Sequence, residues 1–414
     1  MRFEQLFETS LRNGLSKPKK VRGIGYPMIN MGEIFSHDII YDIPMDLVPM
    51  TEKEKENGYL KKYDLLFARQ SLTLAGAGKC SIFLGNNVET TFESHLIRVR
   101  LDKKKCNPLF YYYYFQSLIG KSNISGIVEQ VSAAGIRGSD LKRLEVPMPN
   151  ILIQNKIVDI MYKIDSKIEL NNQMIATLEE LAATLFKRWF VDFEFPDENG
   201  NPYKSSGGKM VDSELGEIPE GWENGTLSDI GEIVGGGTPS KKMIEYYVEG
   251  DIPWITPKDL SEQKNTFISN GKTNITELGL KKSSAKMIPE KSVLFSSRAP
   301  IGYIAISTQP VSTNQGFKSI IPKKSKHYGF VYLLLKSQVN NIESRATGST
   351  FKEVSGTIMK NFPIILPKEN ILNDFSKLTD SIFKLILNLE VNVNNLEQTR
   401  NLVLPKLLSG ELEV

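Results

Sequence analysis

Apolar residues recur every three or four positions along two long stretches of the chain. From Ile157 the stripe runs through Ile160, Ile164, Ile168, Asn171, Ile175, Leu178, Ala182, Leu185 and Trp189, with one irregular step near Ile164 to Ile168. A second runs through Phe375, Leu378, Ile382, Leu385, Leu389, Val393, Leu396 and Val403. Steps of three and four put these positions on one face of a helix, and Pro405 is expected to stop the second one. The stripes are copies: Pro149 to Leu185 aligns with Pro367 to Val403 without a gap, at a constant shift of 218 residues. Each follows a block of about 150 residues, so the chain reads as a block and a long helix, repeated. Thirty-odd residues at a rise of ~1.5 Å predict rods of about 50 Å. A single stripe of that length must be covered, and the nearest cover is the other copy. The first helix hands the chain to the second block through a 22-residue connector. An antiparallel coiled coil with a head at each end, related by a pseudo-twofold axis, is therefore predicted. Asn171 and Asn172 lie in or beside the seam and, if buried, fix its register.

Inside the blocks the period changes from helical to short runs. Cys80 to Leu84, Ser94 to Leu101, Ser292 to Phe295 and Tyr303 to Ser307 read as strands, and the Phe/Tyr/Leu runs from Leu109 and from Gly329 as helices. The repeat persists more faintly here. Gly25 to Asn30 resembles Asp251 to Thr256, and Asp64 to Arg69 resembles Ser292 to Ser297, which Arg298 follows. Each block closes on a Gly/Ser/Thr-rich patch, Ser132 to Ser139 or Arg345 to Lys352. The predicted class is α+β, with two strand-rich α/β heads. The expected division is a head over 1–150, a helix over 151–195, a connector over 196–217, a second head over 218–366, and a second helix with its tail over 367–414.

Charge follows this division. The first head holds 21 Lys+Arg against 16 Asp+Glu and the second 18 against 13, so each carries +5. The first helical segment has 5 against 7, the connector 2 against 5, and the tail 5 against 7. Basic heads on acidic spacers suit two nucleic-acid-facing modules on a rod that does not bind. The rest of the composition bounds the problem. At 414 residues, 40% hydrophobic and 24% charged, the chain fits two to four folded domains. No apolar run reaches the length of a membrane span, and Glu4 and Glu8 interrupt any signal-like segment, so a cytoplasmic location and no membrane partner are expected. Two cysteines, Cys80 and Cys106, can make neither a zinc cage nor a disulfide framework, and read as packed thiols.

Several catalytic readings fail on the residues. Gly207-Gly208-Lys209 lacks the Ser or Thr of a phosphate loop, since Met210 follows, and no strand precedes it. Asn107-Pro108-Leu109-Phe110 departs from the adenine-holding loop of amino-methyltransferases at Leu109, and reads as a helix start with Pro108 in the first turn. No compact Asp…Glu-x-Lys constellation follows paired strands. His37, His95 and His327 are far apart in sequence and read as surface or packed residues.

The stretch from Phe195-Pro196 through Pro202-Tyr203 and Gly207-Gly208-Lys209-Met210 to Glu214-Leu215-Gly216 and Gly221-Trp222 resembles the centre of the specificity subunit of type I restriction-modification systems. Gly235 to Ser240, Gly250 to Trp254, Ser312 to Gly316 and Gly348 to Lys352 resemble it too, as does the order of head and helix across nearly the whole chain. The first head departs from this pattern: it has no clear counterpart of Gly235 to Ser240, and Asn13 to Lys20 is its nearest analogue. The resemblance implies that each head is a target recognition domain reading one half of a split, asymmetric site in double-stranded DNA, with the helices fixing the unread spacer. A rod of about 50 Å spans roughly 1.5 turns of duplex. It further implies that the chain is not itself catalytic and binds no cofactor. Two modification subunits carrying S-adenosylmethionine would dock on the helices, near Glu179-Glu180 and Glu397, and restriction subunits with ATP and Mg would join them.

Lys and Arg would anchor phosphates, while Arg, Gln, Asn, Ser and Thr on loops would read base edges. The candidates are Lys17, Lys19, Lys20, Arg22, Arg69, Gln70, Lys79 and Arg137 in the first head. In the second they are Lys241, Lys242, Lys258, Arg298, Asn314, Gln315, Arg345, Ser349, Thr350 and Lys352. Trp254, Tyr303 and Trp189 read as packing residues. The competing reading is a protein-interaction scaffold with two similar heads on a ruler. It differs in one respect: its binding would lack the steep salt dependence of phosphate contacts.

Overall fold

The two apolar stripes fold as helices of 40 and 41 residues, Ile151–Phe190 and Glu369–Ser409, in the computed structural model. At a rise of about 1.5 Å each is roughly 60 Å long, more than the rods expected above. The model describes residues 1–41, 43–85, 89–130, 134–298, 300–348 and 352–413. Backbone contacts divide the chain into a first unit, Met1–Ile168 with Asn395–Val414, and a second, Glu169–Asn394. Each long helix therefore begins in one unit and ends in the other.

Pro405 does not stop the second helix. Proline removes one N–H, which costs the carbonyl four residues earlier its partner, but that residue, Asn401, is exposed and its carbonyl can turn to solvent. Leu404 and Leu407, 5% and 3% exposed, anchor the helix on either side of the proline. The first helix ends where Phe193 takes a left-handed backbone, φ 59°, and Asp192 and Glu194 donate back to the carbonyls of Lys187 and Arg188. Such a φ is strained for a non-glycine residue, and it is held because the Phe193 ring is buried edge-on against Trp222, 5.6 Å between centroids.

Within both units the helices lie antiparallel. In the first, Ile157, Val158 and Met161, early in their helix, share a core with Leu404 and Leu407, late in theirs, and Arg400 reaches Asp165 at 3.0 Å. In the second, Phe186, Trp189 and Phe190 pack on Phe375, with Phe190 4.8 Å from it and 4.8 Å from Phe330. Trp189 is thus a packing residue. Asn171 is fully buried, while Asn172 is exposed.

The heads share one topology. The first unit has a five-stranded sheet in the order Arg12–Asn13, Leu96–Val99, Leu65–Ala68, Cys80–Phe83, Ile39–Ile40, antiparallel except for its last pair. The second repeats it as Gly231–Gly235, Lys318–Pro322, Val293–Ser297, Ile301–Ser307, Phe267–Ile268, with the same single parallel pair. A mixed three-stranded sheet also recurs, Asp46–Val48, Tyr26–Ile29, Thr91–Phe92 and then Thr273–Ile275, Ile252–Ile255, Ser312–Thr313. The central strands are buried at every position, which explains why Leu65 to Ala68 and Val293 to Phe295 are apolar runs without alternation; the second strand ends on two buried serines, Ser296 and Ser297. The aromatic runs are helices, Pro108–Gln116 and Tyr328–Ser344, which help close the two cores. Asn107 caps the first of these with its side chain, and Pro108 occupies the first turn. The long helices meet them in matching register: Asn155 Oδ1 accepts from Asn107 Nδ2 at 2.9 Å, and Asn373 Oδ1, 218 residues on, lies 3.1 Å from His327 Nε2. His327 is therefore a satisfied packing residue.

This correspondence supplies the counterpart that the first head lacked in sequence. Asn13-Gly14-Leu15 follows the edge strand as Gly235-Gly236-Gly237 does, and Leu15 N–H donates to Phe92 O at 2.8 Å where Gly237 N–H donates to Thr313 O at 2.9 Å. A Cβ on Gly14 would lie 2.1 Å from Phe92 O, and one on Gly236 2.0 Å from Asn314 O. Both glycines are required by close backbone approach. The connector is more ordered than a plain bridge: Met210–Val211 pairs with Ile218–Pro219, and Phe195 stacks between Tyr203 and Trp222 at 4.6 and 5.2 Å. No helix among the described residues is long and apolar enough to cross a membrane.

Candidate nucleic-acid interface

In the second unit the loops at one end of the large sheet converge. Arg298 follows the central strand, and its backbone bridges to Glu353. Its guanidinium lies 3.6 Å from the Glu353 carboxylate, which Lys318 also approaches at 3.3 Å. Beside it, Asn314 Oδ1 accepts from Gly316 N–H at 2.8 Å, tightening the turn after Ser312–Thr313, and the Gln315 side-chain carbonyl accepts from the Thr238 hydroxyl. A Cβ on Gly316 would sit 3.2 Å from Pro257 and 3.7 Å from Arg298, so the start of the Pro257–Gln263 helix, with exposed Lys258, joins the same cluster. Trp254 is buried beneath the neighbouring loop and donates to Gly237 O at 3.0 Å, which fixes that loop rather than offering a stacking face.

The other predicted residues divide. Lys241 and Lys242 are exposed on the turn after Ser240, and Lys352 is exposed beside Glu353. Arg345 is engaged by its own fold, with its guanidinium 4.7 Å above the Phe362 ring. Ser349 and Thr350 lie outside the described residues.

In the first unit Arg69 and Gln70 occupy the places of Ser297 and Arg298. Arg69 donates its N–H to His95 O at 2.8 Å and accepts from Ile136 N–H at 2.9 Å, as Ser297 does with Gly316 and Val354. That leaves its exposed side chain on a fixed base. Gln70 Oε1 lies 2.9 Å from His95 Nδ1, and Gly135 stands opposite Gln70 in a small sheet that leads to Arg137. Arg137, exposed, pairs with Glu129 at 2.6 Å. Arg69, Gln70 and Arg137 are thus brought together.

Lys17, Arg22 and Lys79 are not free. Lys17 pairs with Glu54 at 2.9 Å; Arg22 binds Asp46 at 2.7 Å, Asn30 at 3.0 Å and the Lys17 carbonyl. Lys79 reaches Phe35 O and Asp38, both at 3.0 Å. Arg22 and Lys79 hold loops in place, and only Lys19 and Lys20 of that basic run extend into solvent. These pairs leave the head's net charge as counted but reduce the cations open to a ligand, and two more are withdrawn. Arg98 is buried, and Arg100 chelates buried Asp64 at 2.7 and 2.6 Å.

Sequence reasoning missed Thr238, Lys318, Glu353 and His95. The last three are single residues whose neighbours come from distant strands, so only the sheet pairing reveals them. Thr238 stood inside the Gly235 to Ser240 motif and was legible there. Glu179, expected on an open docking face, instead accepts from the Thr266 hydroxyl and approaches Lys336 at 3.5 Å. The described residues contain no group of three or more His, Cys, Asp or Glu able to hold a metal ion.

The two loop clusters present guanidinium, amide, hydroxyl and imidazole groups over one fixed frame, which is the chemistry of base-edge and phosphate recognition. The chain is 32% identical over 321 residues to the type I restriction enzyme HindI specificity subunit of Haemophilus influenzae, covering 65% of this chain and 69% of that protein. It is 44% identical over 161 residues to the MjaIX specificity subunit of Methanocaldococcus jannaschii, covering 38% of this chain and 37% of that one's length. The fold is that of the type I restriction-modification S subunit from M. genitalium, with a TM-score of 0.60 over 98% of this chain and 95% of that one, at 15% identity. The model of the type I restriction modification DNA specificity domain matches residues 1–180 and again 219–397. With two copies of that domain taking in most of its length, the chain belongs to the type I restriction-modification DNA specificity family.

Proposed function

We propose that this chain is the DNA-reading subunit of a type I restriction-modification complex, in which each head reads one half of a bipartite site in duplex DNA. The observation that carries the reading is the contrast between frame and loops. Sheet order, parallel pair and glycine approach are the same in both heads. The residues at matched loop positions differ: Gln70 against Arg298, His95 against Gly316, Glu93 against Asn314. Arg prefers guanine and Gln prefers adenine in the major groove, so one frame with two loop sets reads two different sequences.

The long helices, continuous through both units, hold the unread spacer and dock two modification subunits. The restriction subunits join that assembly. The chain itself catalyses nothing and holds no cofactor: S-adenosylmethionine belongs to the modification subunits, ATP and Mg to the restriction subunits.

Mapping adenine methylation in cells that express the chain with its modification subunit tests this. A bipartite motif that depends on the chain is expected, and replacing residues 1–145 with another such head should change one half of it only. Absence of any chain-dependent motif, or a change in both halves, refutes the proposal. Duplex binding by the assembled complex should weaken steeply between low and moderate salt, which a protein-binding scaffold would not show.

A further inference from the structure

The hairpins that carry Arg69 and Ser297 differ in length. Gly78 and Gly302, both with positive φ (76° and 93°), open the return strands at matched positions, because Leu65 pairs with Ile82 as Val293 pairs with Ile306. Between Arg69 and Gly78 the first head has eight residues, 70 to 77, where the second has four, 298 to 301. The longer loop carries Leu72, 101% exposed, and Leu74, 55% exposed.

An isolated surface leucine is ordinary. This one sits on a braced turn. Thr73 N–H donates to Ser71 Oγ at 3.1 Å, Gly76 N–H to Thr73 Oγ1 at 3.2 Å, and Gly78 N–H to Ala68 O at 2.8 Å. Ser71 is itself paired in a strand with Ala134, and Lys79 ties the far end of the loop to Phe35 O and Asp38. The loop therefore holds Leu72 outward instead of folding it back. It also lies two residues beyond Gln70, whose side chain meets His95.

We propose that Leu72 is a wedge that enters the base stack of duplex DNA, partly unstacking one step within the half-site read by the first head. The inference rests on the DNA-reading function proposed above. A rigid apolar tip next to base-reading amides has one natural destination on a polyanion, the dry interior of the stack. Arg69, three residues before it, holds a flanking phosphate. Leu72 makes the first head sensitive to how readily a step opens, so a pyrimidine–purine step is expected at that position. The corresponding hairpin of the second head is four residues shorter.

The test uses the complex of full-length chain and modification subunits, with a duplex bearing the methylated motif mapped as above. 2-Aminopurine is placed in turn at each position of the first half-site except the methylated adenine, whose own extrusion would mask the signal. Wild type should brighten the probe at one step. Leu72→Ser should abolish that rise and weaken binding roughly tenfold, without changing the salt slope, because no charge is lost. Leu72→Met should restore both. Thermal unfolding should be the same for all three proteins, since Leu72 is fully exposed.

A Leu72→Ser variant that keeps the rise and the affinity overturns the wedge while leaving the DNA-reading function intact. So does one whose only defect is assembly with the modification subunits, which would make Leu72 a protein contact. Wild type that supports no bipartite methylation sinks both proposals.

Discussion

Glu390, 5% exposed on the second long helix, offers a measurable test of how the helices grip the second head. Its carboxylate accepts from the backbone N–H of Thr266 at 2.6 Å and of Phe267 at 3.1 Å. Glu179, from the first helix, accepts from the Thr266 hydroxyl and faces Lys336, whose ammonium lies 3.4 Å from the Tyr332 hydroxyl. Burial pushes the Glu390 carboxyl up to about 7, from an ordinary 4.5; the two N–H donors oppose the rise and the charge of Glu179 adds to it. An acid whose value is raised by folding binds its proton more tightly when folded. Its stabilising contribution is complete below about pH 4.5 and is lost as pH climbs through about 7. At roughly 1.4 kcal/mol per pH unit the loss is about 3 kcal/mol across that window.

Glu390→Gln cannot titrate. It offers one acceptor oxygen where two N–H groups need one each, a cost of about 1–2 kcal/mol at every pH. The variant should therefore be less stable than wild type at pH 5, and should gain on it by about 3 kcal/mol by pH 8. Urea unfolding followed by tryptophan fluorescence measures this. The three tryptophans, Trp189, Trp222 and Trp254, all lie in the second unit, so the signal reports that unit alone. Other titrating groups cancel in the difference between the two proteins. A difference that is the same at pH 5 and pH 8 would refute the reasoning.

Gly14→Ala and Gly236→Ala should each destabilise their own unit by at least about 1–3 kcal/mol, because the added methyl meets backbone oxygens at 2.1 and 2.0 Å that cannot move aside; urea midpoints of the full chain check it. Arg400→Met leaves Asp165, 13% exposed, without its partner in the first unit, and should cost about 2 kcal/mol, of which Asp165→Asn in the same chain should recover part. Burial raises the thiol of Cys106 to about 12 and raises that of Cys80 too, so both should resist thiol-specific labelling at pH 8 until urea unfolds the first unit; rapid labelling of the native chain would contradict their packing. Lys20→Ala should lower the salt slope of DNA binding by about one, whereas Gln70→Ala should relax base preference in one half-site and leave the slope alone; fluorescence-anisotropy titrations at several salt concentrations separate the two.

The sequence by itself determined the duplication, the helices and the α+β class of the heads. A stripe repeated at 218 residues is a one-dimensional signal, and helical periodicity is local, so Ile157 to Trp189 and its copy were legible without a structure. So was the central strand of the second head, read from Ser292 to Phe295, because Val293 to Phe295 is apolar throughout. The helix end was not legible at Pro405: a local rule set the expectation, and tertiary burial of Leu404 and Leu407 overrode it. The glycine counterpart in the first head was only half legible: Asn13 to Lys20 stood out as the nearest analogue, but the equivalence of Gly14 and Gly236 lies in a shared backbone approach to the next strand and not in neighbouring letters.

The candidate site shows the same division. Loop position and residue type nominated Arg69 and Gln70 in the first head and Arg298, Asn314 and Gln315 in the second, and folding gathered each set within its own head, Arg298 beside the Glu353 carboxylate. Folding also withdrew Lys17, Arg22, Lys79 and Arg345, each engaged by an internal carboxylate, carbonyl or ring. Whether a cation stays available depends on what distant strands bring beside it, and the pairing of those strands is not written in local pattern. Sequence fixes which side chains a protein has; the tertiary structure decides which of them are already spent, because an ion pair or a buried contact consumes the same charge or surface that a ligand would need.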